Sequence, residues 1–317
     1  MIGVPKEAAM AVKKKPFRIA IPGWILVLLL LNAGATGALV EYYLLSRKLP
    51  QTTQGTSQDS TSQEVVQAVT QKVLPASGYR TSLSWGDIGK KLVEAGAIDL
   101  AKYEQTFNAN TNGKQEMDIF SGNEARPIEI NENNSHFVVN TLWALGLVNK
   151  SKVLDEGPMR QQNVPIENFA STGGWTLGTK SSKTLFSSQE IIPLTAEQQD
   201  KVKMISENVF RPCCGNPTSF PDCNHGMAAL GYIELAVANG LSEEQIYKDL
   251  LAFNSAWFPT TYVEMGVFFS QQGTEWEKVD PKLALSQEYS SAQGAQKIHQ
   301  AVANVPGIKS QGGSCGA

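Results

Sequence analysis

CNHGMAALGYIELAVANGLSEEQIYKDLLAFNSAWFP, residues 223–259, reads as two helices joined by a tight turn. Residues 226–239 read as an apolar helix. Gly240 stands where a left-handed residue ends a helix. Ser242-Glu243-Glu244-Gln245 has the form of a capping box and starts the second helix, which must stop before Pro259.

The same signals recur upstream. Thr195-Ala196-Glu197-Gln198 is a capping box opening a helix to about Phe210, and Ser135 precedes an apolar helix over 137–147. Ser84-Trp85-Gly86-Asp87 is read as opening a helix with Ile88, Leu92 and Val93 on one face, ended by Gly96. Asp99 then caps a second helix to Phe107. Residues 127–130 form a short strand, 108–126 a loop and 150–190 an irregular stretch. No internal repeat or sustained strand alternation is present. The fold class expected is mainly α, with long irregular loops and few short strands.

The N-terminal part is of a different kind. Residues 19–40 are 22 residues without a charge, enough for a helix to span the roughly 30 Å hydrocarbon core. Lys13, Lys14, Lys15 and Arg18 precede this run and Glu41 follows it. The positive-inside rule puts residues 1–18 in the cytoplasm, 19–40 across the cytoplasmic membrane and the rest on the extracytoplasmic side. A cleaved signal peptide is the alternative, since Ala33-Gly34-Ala35 and Thr36-Gly37-Ala38 supply small residues after the apolar run. Residues 41–78 are expected to be a flexible tether, polar over 49–63 with a short helix over 64–74, before a domain over 79–317.

Charge supports this division. Residues 1–48 carry seven Lys/Arg and two Glu, leaving 20 basic and 28 acidic residues in the body. An acidic body without basic runs excludes nucleic acid as a partner, because phosphate neutralisation needs clustered Lys and Arg. The membrane is the partner expected, with an envelope protein as a second.

Three of the four cysteines fall in segment 211–227, RPCCGNPTSFPDCNHGM, and the fourth is Cys315 in a Gly-rich tail. Thiolates and an imidazole are the ligand set of tetrahedral zinc or of cuprous copper. Cys213, Cys214, Cys223 and His225 form the candidate set, with Cys315 reached if the tail folds back. Asp222 is a candidate outer partner of His225, and Met227 a soft ligand should the metal be copper. Two alternatives stay open: structural disulfides, for which four cysteines allow three connectivities, and redox-active thiols.

The run PCCGNPTSFPDCNHGMAALGYIELAVANG resembles a signature of uncharacterised, membrane-anchored bacterial and archaeal proteins. The resemblance extends to residues 84–100, 140–151, 170–178 and 312–316. It implies an architecture and no activity. The cysteine cluster leading into a helical pair is also similar to the PCYCGC-motif lipoproteins and to the thiol-oxidoreductase subunit of cytochrome c maturation. Here Cys213 and Cys214 are adjacent and no Cys-x-x-Cys exists, which departs from a dithiol exchange motif.

Other sites are poorly supplied. There is no P-loop, dinucleotide fingerprint or Gly-x-Ser-x-Gly, and three histidines leave little for a hydrolase triad. No catalytic residue is assigned. Ser171-Thr172-Gly173-Gly174-Trp175 reads as packing, Glu234, Glu243 and Glu244 as solvated helix positions, His136 and His299 as structural. The aromatic set of Phe253, Trp257, Phe258, Tyr262, Phe268 and Phe269 reads as core.

Overall fold

The computed structural model describes residues 55–107 and 116–308. The basic N-terminus, the apolar run 19–40 and Cys315 lie outside the described residues. Among those described, no helix is long and apolar enough to cross a membrane.

The longer elements, in chain order, are α1 (Gly55–Val73), β1 (Tyr79–Gly86), α2 (Ile88–Ala95), α3 (Leu100–Phe107), β2 (Glu124–Ile130) and α4 (Ser135–Val148). They are followed by α5 (Ala196–Ser206), α6 (Asn224–Ala238), α7 (Glu243–Trp257), α8 (Pro259–Gln271) and α9 (Ala292–Val302). The domain is mainly helical. Its one sheet among the described residues is the antiparallel pair β1–β2, with Tyr79 opposite Ile130 and Gly86 opposite Glu124.

The centre is the pair α4 and α6. Every residue from Phe137 to Val148 and from His225 to Val237 is buried. Full burial of each large aliphatic side chain contributes about 1.5–3 kcal/mol relative to exposure. The two helices meet backbone to backbone. A Cβ added to Gly231 would stand 2.5 Å from the Leu142 carbonyl oxygen, and one on Gly146 would stand 2.1 Å from that of Met227. Packing this close leaves room for nothing larger than hydrogen on either glycine. Helices α5 and α7 pack on α6, and α8 packs on α9.

The capping signals are realised unequally. Thr195 and Gln198 make both halves of a capping box. At α7 only half forms: the Ser242 hydroxyl accepts from the Gln245 backbone N–H, while the Gln245 side chain turns to Asp249 at 2.7 Å. Asp249 is fully buried and also accepts from the Tyr79 hydroxyl at 2.6 Å and from that of Tyr232. This carboxylate therefore joins the start of β1 to α6 and α7. Gly96 ends α2 with φ +78, and Asp99 Oδ1 accepts from the Ala101 N–H at 3.0 Å at the start of α3.

Three expectations are corrected. The helix expected over 64–74 forms, but it begins earlier, as α1, and is packed rather than part of a loose tether: Val66, Val69 and Val73 are buried, and Gly266 of α8 lies against Val69 and Val73 where a side chain would collide. Ser84–Gly86 is the end of a strand rather than a helix start, because Thr81, Leu83 and Trp85 alternate into the core. Glu234 is not solvated: it has no exposure, and Asn149 Nδ2 donates to its Oε2 at 2.9 Å. The irregular stretch 150–190 supplies packing as read, with Trp175 buried and its Nε1 donating to the Ala97 carbonyl at 2.9 Å. In the aromatic set Phe253, Tyr262 and Phe269 are buried, whereas Trp257, Phe258 and Phe268 are half-buried.

Overpacking at the helix contact is expected to be costly. Gly231→Ala should lower unfolding free energy by roughly 1–3 kcal/mol or more, read from urea denaturation midpoints. Burial raises the Glu234 carboxyl to about 8, far above its unfolded value. A raised folded pKa stabilises fully below the unfolded pKa and loses that contribution as pH climbs through the folded value. The stability of Glu234→Gln relative to the parent chain should therefore rise between about pH 4.5 and 8, which paired denaturation curves across that range would show.

Candidate metal centre

The cysteine segment cannot continue a helix, since Pro212, Pro217 and Pro221 interrupt it. It folds back on the end of α5 instead: the Thr218 N–H donates to the Val209 carbonyl at 2.8 Å and the Ser219 N–H to that of Ser206 at 3.0 Å. The turn bearing Cys213 and Cys214 is tied to the start of α9 by the Ala292 N–H donating to the Cys214 carbonyl at 2.9 Å. Cys223 is the N-cap of α6, its sulfur accepting from the Gly226 N–H at 3.4 Å.

These constraints bring Cys213, Cys214 and Cys223 together, with all three Sγ atoms within 4.8 Å of one another. Cys213 Sγ lies 3.4 Å from Cys223 Sγ. All three are half-buried, and none is in a disulfide. Zinc–sulfur bonds of about 2.3 Å in tetrahedral geometry separate sulfurs by about 3.8 Å, so the donor set fits a thiophilic metal ion. Three cysteines this close could hold one.

Arg211 organises the site. Its guanidinium is 1% exposed and donates from Nε to Cys223 Sγ at 3.0 Å and from Nη1 to the Asn216 carbonyl at 3.0 Å. From Nη2 it donates to the Phe220 carbonyl at 3.2 Å and to Asp222 Oδ1 at 2.8 Å. The other Asp222 oxygen accepts from Asn216 Nδ2 at 2.7 Å. The arginine lies against Gly226, where a Cβ would fall 2.4 Å from Cζ. Nothing in helical or strand periodicity announces this role. The readable hints are an acidic residue beside Cys223 and a glycine three positions later.

The protonation pattern follows. Cys223 is held well below the ordinary thiol range by hydrogen bonds from Cys213 and Cys214 and by the Arg211 charge, which outweigh its burial. Cys213 is pushed up, since its proton is shared with the sulfurs of Cys214 and Cys223 and it is largely buried. Cys214 is pushed up to about 11: its hydrogen bond with Cys213 lowers it, but contact with Cys223 and burial prevail. Burial works against the Arg211 charge, yet the neighbouring cysteine sulfurs, Cys223 above all, raise its pKa. Cys223 is the thiol lowered in this cluster, and its sulfur is the one that faces the guanidinium at 3.0 Å.

His225 is not brought into this group. Cys223 is the extended N-cap residue whose sulfur turns to the Gly226 N–H, while His225 lies inside the helix with its ring directed to aromatic neighbours. Its ring packs on Phe258, centroids 4.4 Å apart, and on Trp257 at 5.7 Å; burial lowers its pKa to about 4. Asp222 serves Arg211 and Asn216 rather than His225. Met227 is buried in the hydrophobic core.

Arg211→Met would strip the Asn216 and Phe220 carbonyls and Asp222 of their donor. A loss on the order of 3 kcal/mol in unfolding free energy is expected from removing one partner of a buried charge pair. Denaturation of the reduced, metal-free protein would measure it, and a loss below 0.5 kcal/mol, roughly that of an ordinary surface change, would contradict this role.

No family model, curated protein or solved structure matches this chain. The reading of the centre rests on its own geometry.

Proposed function

We propose that the chain is a membrane-tethered protein whose extracytoplasmic domain binds zinc through Cys213, Cys214 and Cys223. The observation that carries the reading is the convergence of three cysteine sulfurs within 4.8 Å, backed by a buried arginine. The zinc joins the turn after α5 to the N-terminus of α6 and, through Cys214, to the start of α9. Three protein donors leave a fourth position for water or an incoming ligand, and the half-buried cysteines put it within reach of solvent. A site of this kind clamps the fold and also allows the metal to exchange, which suits metal handling.

Charge favours zinc over cuprous copper. Arg211 and Asp222 cancel, so three thiolates with a divalent ion leave about one negative charge, against two with a monovalent ion. Uncompensated charge in a half-buried site is costly. The tether and its orientation are supported by the uncharged run 19–40 with Lys13, Lys14, Lys15 and Arg18 before it. The acidic body argues against nucleic acid as a partner. Its activity as we read it is binding, without a catalytic set.

The full chain, purified in detergent under reducing and metal-free conditions, should take up zinc close to one per chain by elemental analysis. Cys213→Ser, Cys214→Ser and Cys223→Ser should each weaken binding at least tenfold, while His225→Ala keeps the stoichiometry. Zinc well below one per chain, or Cys→Ser variants that bind like the parent, would sink the reading. Preferential retention of cuprous copper in competition would change the ion and keep the ligands. Parallel loss in Cys315→Ser would identify the tail as the fourth ligand.

A further inference from the structure

We propose that the three-cysteine centre is also a thiol–disulfide switch: Cys213 and Cys223 join on oxidation, Cys214 stays a thiol, and the metal is released. This rests on the zinc reading above and adds its regulation.

The pairing follows from geometry. Cys213 and Cys223 are in direct sulfur–sulfur contact at 3.4 Å. A disulfide needs about 2.05 Å, a closure of a little over 1 Å. Gly215, two residues along, would meet nothing within 4 Å if it carried a Cβ, so the turn has space to move. Cys213 and Cys214 are neighbours in the chain. Their Cα atoms stand about 3.8 Å apart, below the roughly 4.4–6.8 Å that disulfides span. Cys214 Sγ, also within 4.8 Å of Cys223 Sγ, is not in the 3.4 Å contact and has further partners in the Asn216 carbonyl at 3.8 Å and Asp222 Oδ1 at 3.8 Å. Arg211 Nε, at 3.0 Å from Cys223 Sγ, marks Cys223 as the sulfur that attacks.

The step balances with a small-molecule disulfide as oxidant. The Cys223 thiolate attacks one sulfur of R–S–S–R, forming a mixed disulfide and expelling RS⁻. The Cys213 thiolate, giving up its bond to the metal, then attacks Cys223 Sγ, forming the Cys213–Cys223 bond and expelling a second RS⁻. Two cysteine sulfurs are oxidised and the external disulfide is reduced to two thiols. With two of its three ligands consumed, the zinc ion passes to solvent. All three cysteines are half-buried rather than fully enclosed.

The test uses the full chain, reduced and zinc-loaded, incubated with oxidised glutathione. Remaining thiols are alkylated, peptides are mapped by mass, and freed zinc is followed with a chromogenic chelator. Expected are a Cys213–Cys223 disulfide, alkylation at Cys214, one zinc freed per disulfide and recovery of binding after reduction. Cys213→Ser should stop with glutathione bound to Cys223, and Cys214→Ser should still form the bridge. A bridge through Cys214 or Cys315, or thiols that stay reduced in excess oxidised glutathione, would overturn the switch while leaving the zinc reading intact. A reduced chain that binds no zinc yet forms the Cys213–Cys223 bridge would overturn both the zinc reading and the gating, and leave a plain redox pair.

Discussion

The centre of this domain depends on a positive charge placed where water cannot reach it. Arg211 is among the largest fully buried side chains of the domain, and an isolated buried cation would be far too costly to keep. The chain meets that cost by turning two carbonyl oxygens, a carboxylate and a sulfur toward it. Those four acceptors come from residues 216–223, so satisfying the arginine fixes the loop. Fixing the loop fixes where Cys223 enters α6, and with it the distance to Cys213. The guanidinium thus preorganises three sulfurs that could hold a metal ion.

The arginine needs a floor, and Gly226 in the first turn of α6 provides it. Further along the same helix, Gly231 meets Gly146 of α4 at backbone distance. Helix α6 thus uses absent side chains twice, once to admit a charge and once to admit another helix. Its remaining residues fill the core on all sides. This is why one helix can carry a reactive cysteine at its cap and still be rigid beneath it. A cysteine at the end of a helix locked on several faces keeps its position when the loop opposite it moves. The asymmetry suits an exchange site, with Cys213 and Cys214 on a turn beside an open glycine and Cys223 on the anchored partner.

Buried acids follow the same logic. Asp249 accepts from Tyr79, Tyr232 and Gln245 and is a structural anchor, while Glu234 accepts from Asn149 and burial raises its pKa to about 8. Both sit on helices, at positions that could equally have faced water.

The sequence by itself determined the helical character, most of the helix ends and the residues from which the centre is made. Capping boxes, a C′ glycine and prolines act within a few residues, so Thr195, Gly240 and Pro259 could be read without knowing what packs where. The three cysteines that converge were identifiable because thiols in a proline-broken loop have few uses. Tertiary structure decided what distance along the chain hides. It docked α1 on the glycine surface of α8, paired β1 with a strand nearly forty residues later and buried Glu234. It also withdrew His225 from the cysteines, packing its ring on Phe258 and Trp257. Arg211 was the largest omission. A charge reads as surface in a sequence, and only the fold shows that its partners have been gathered around it.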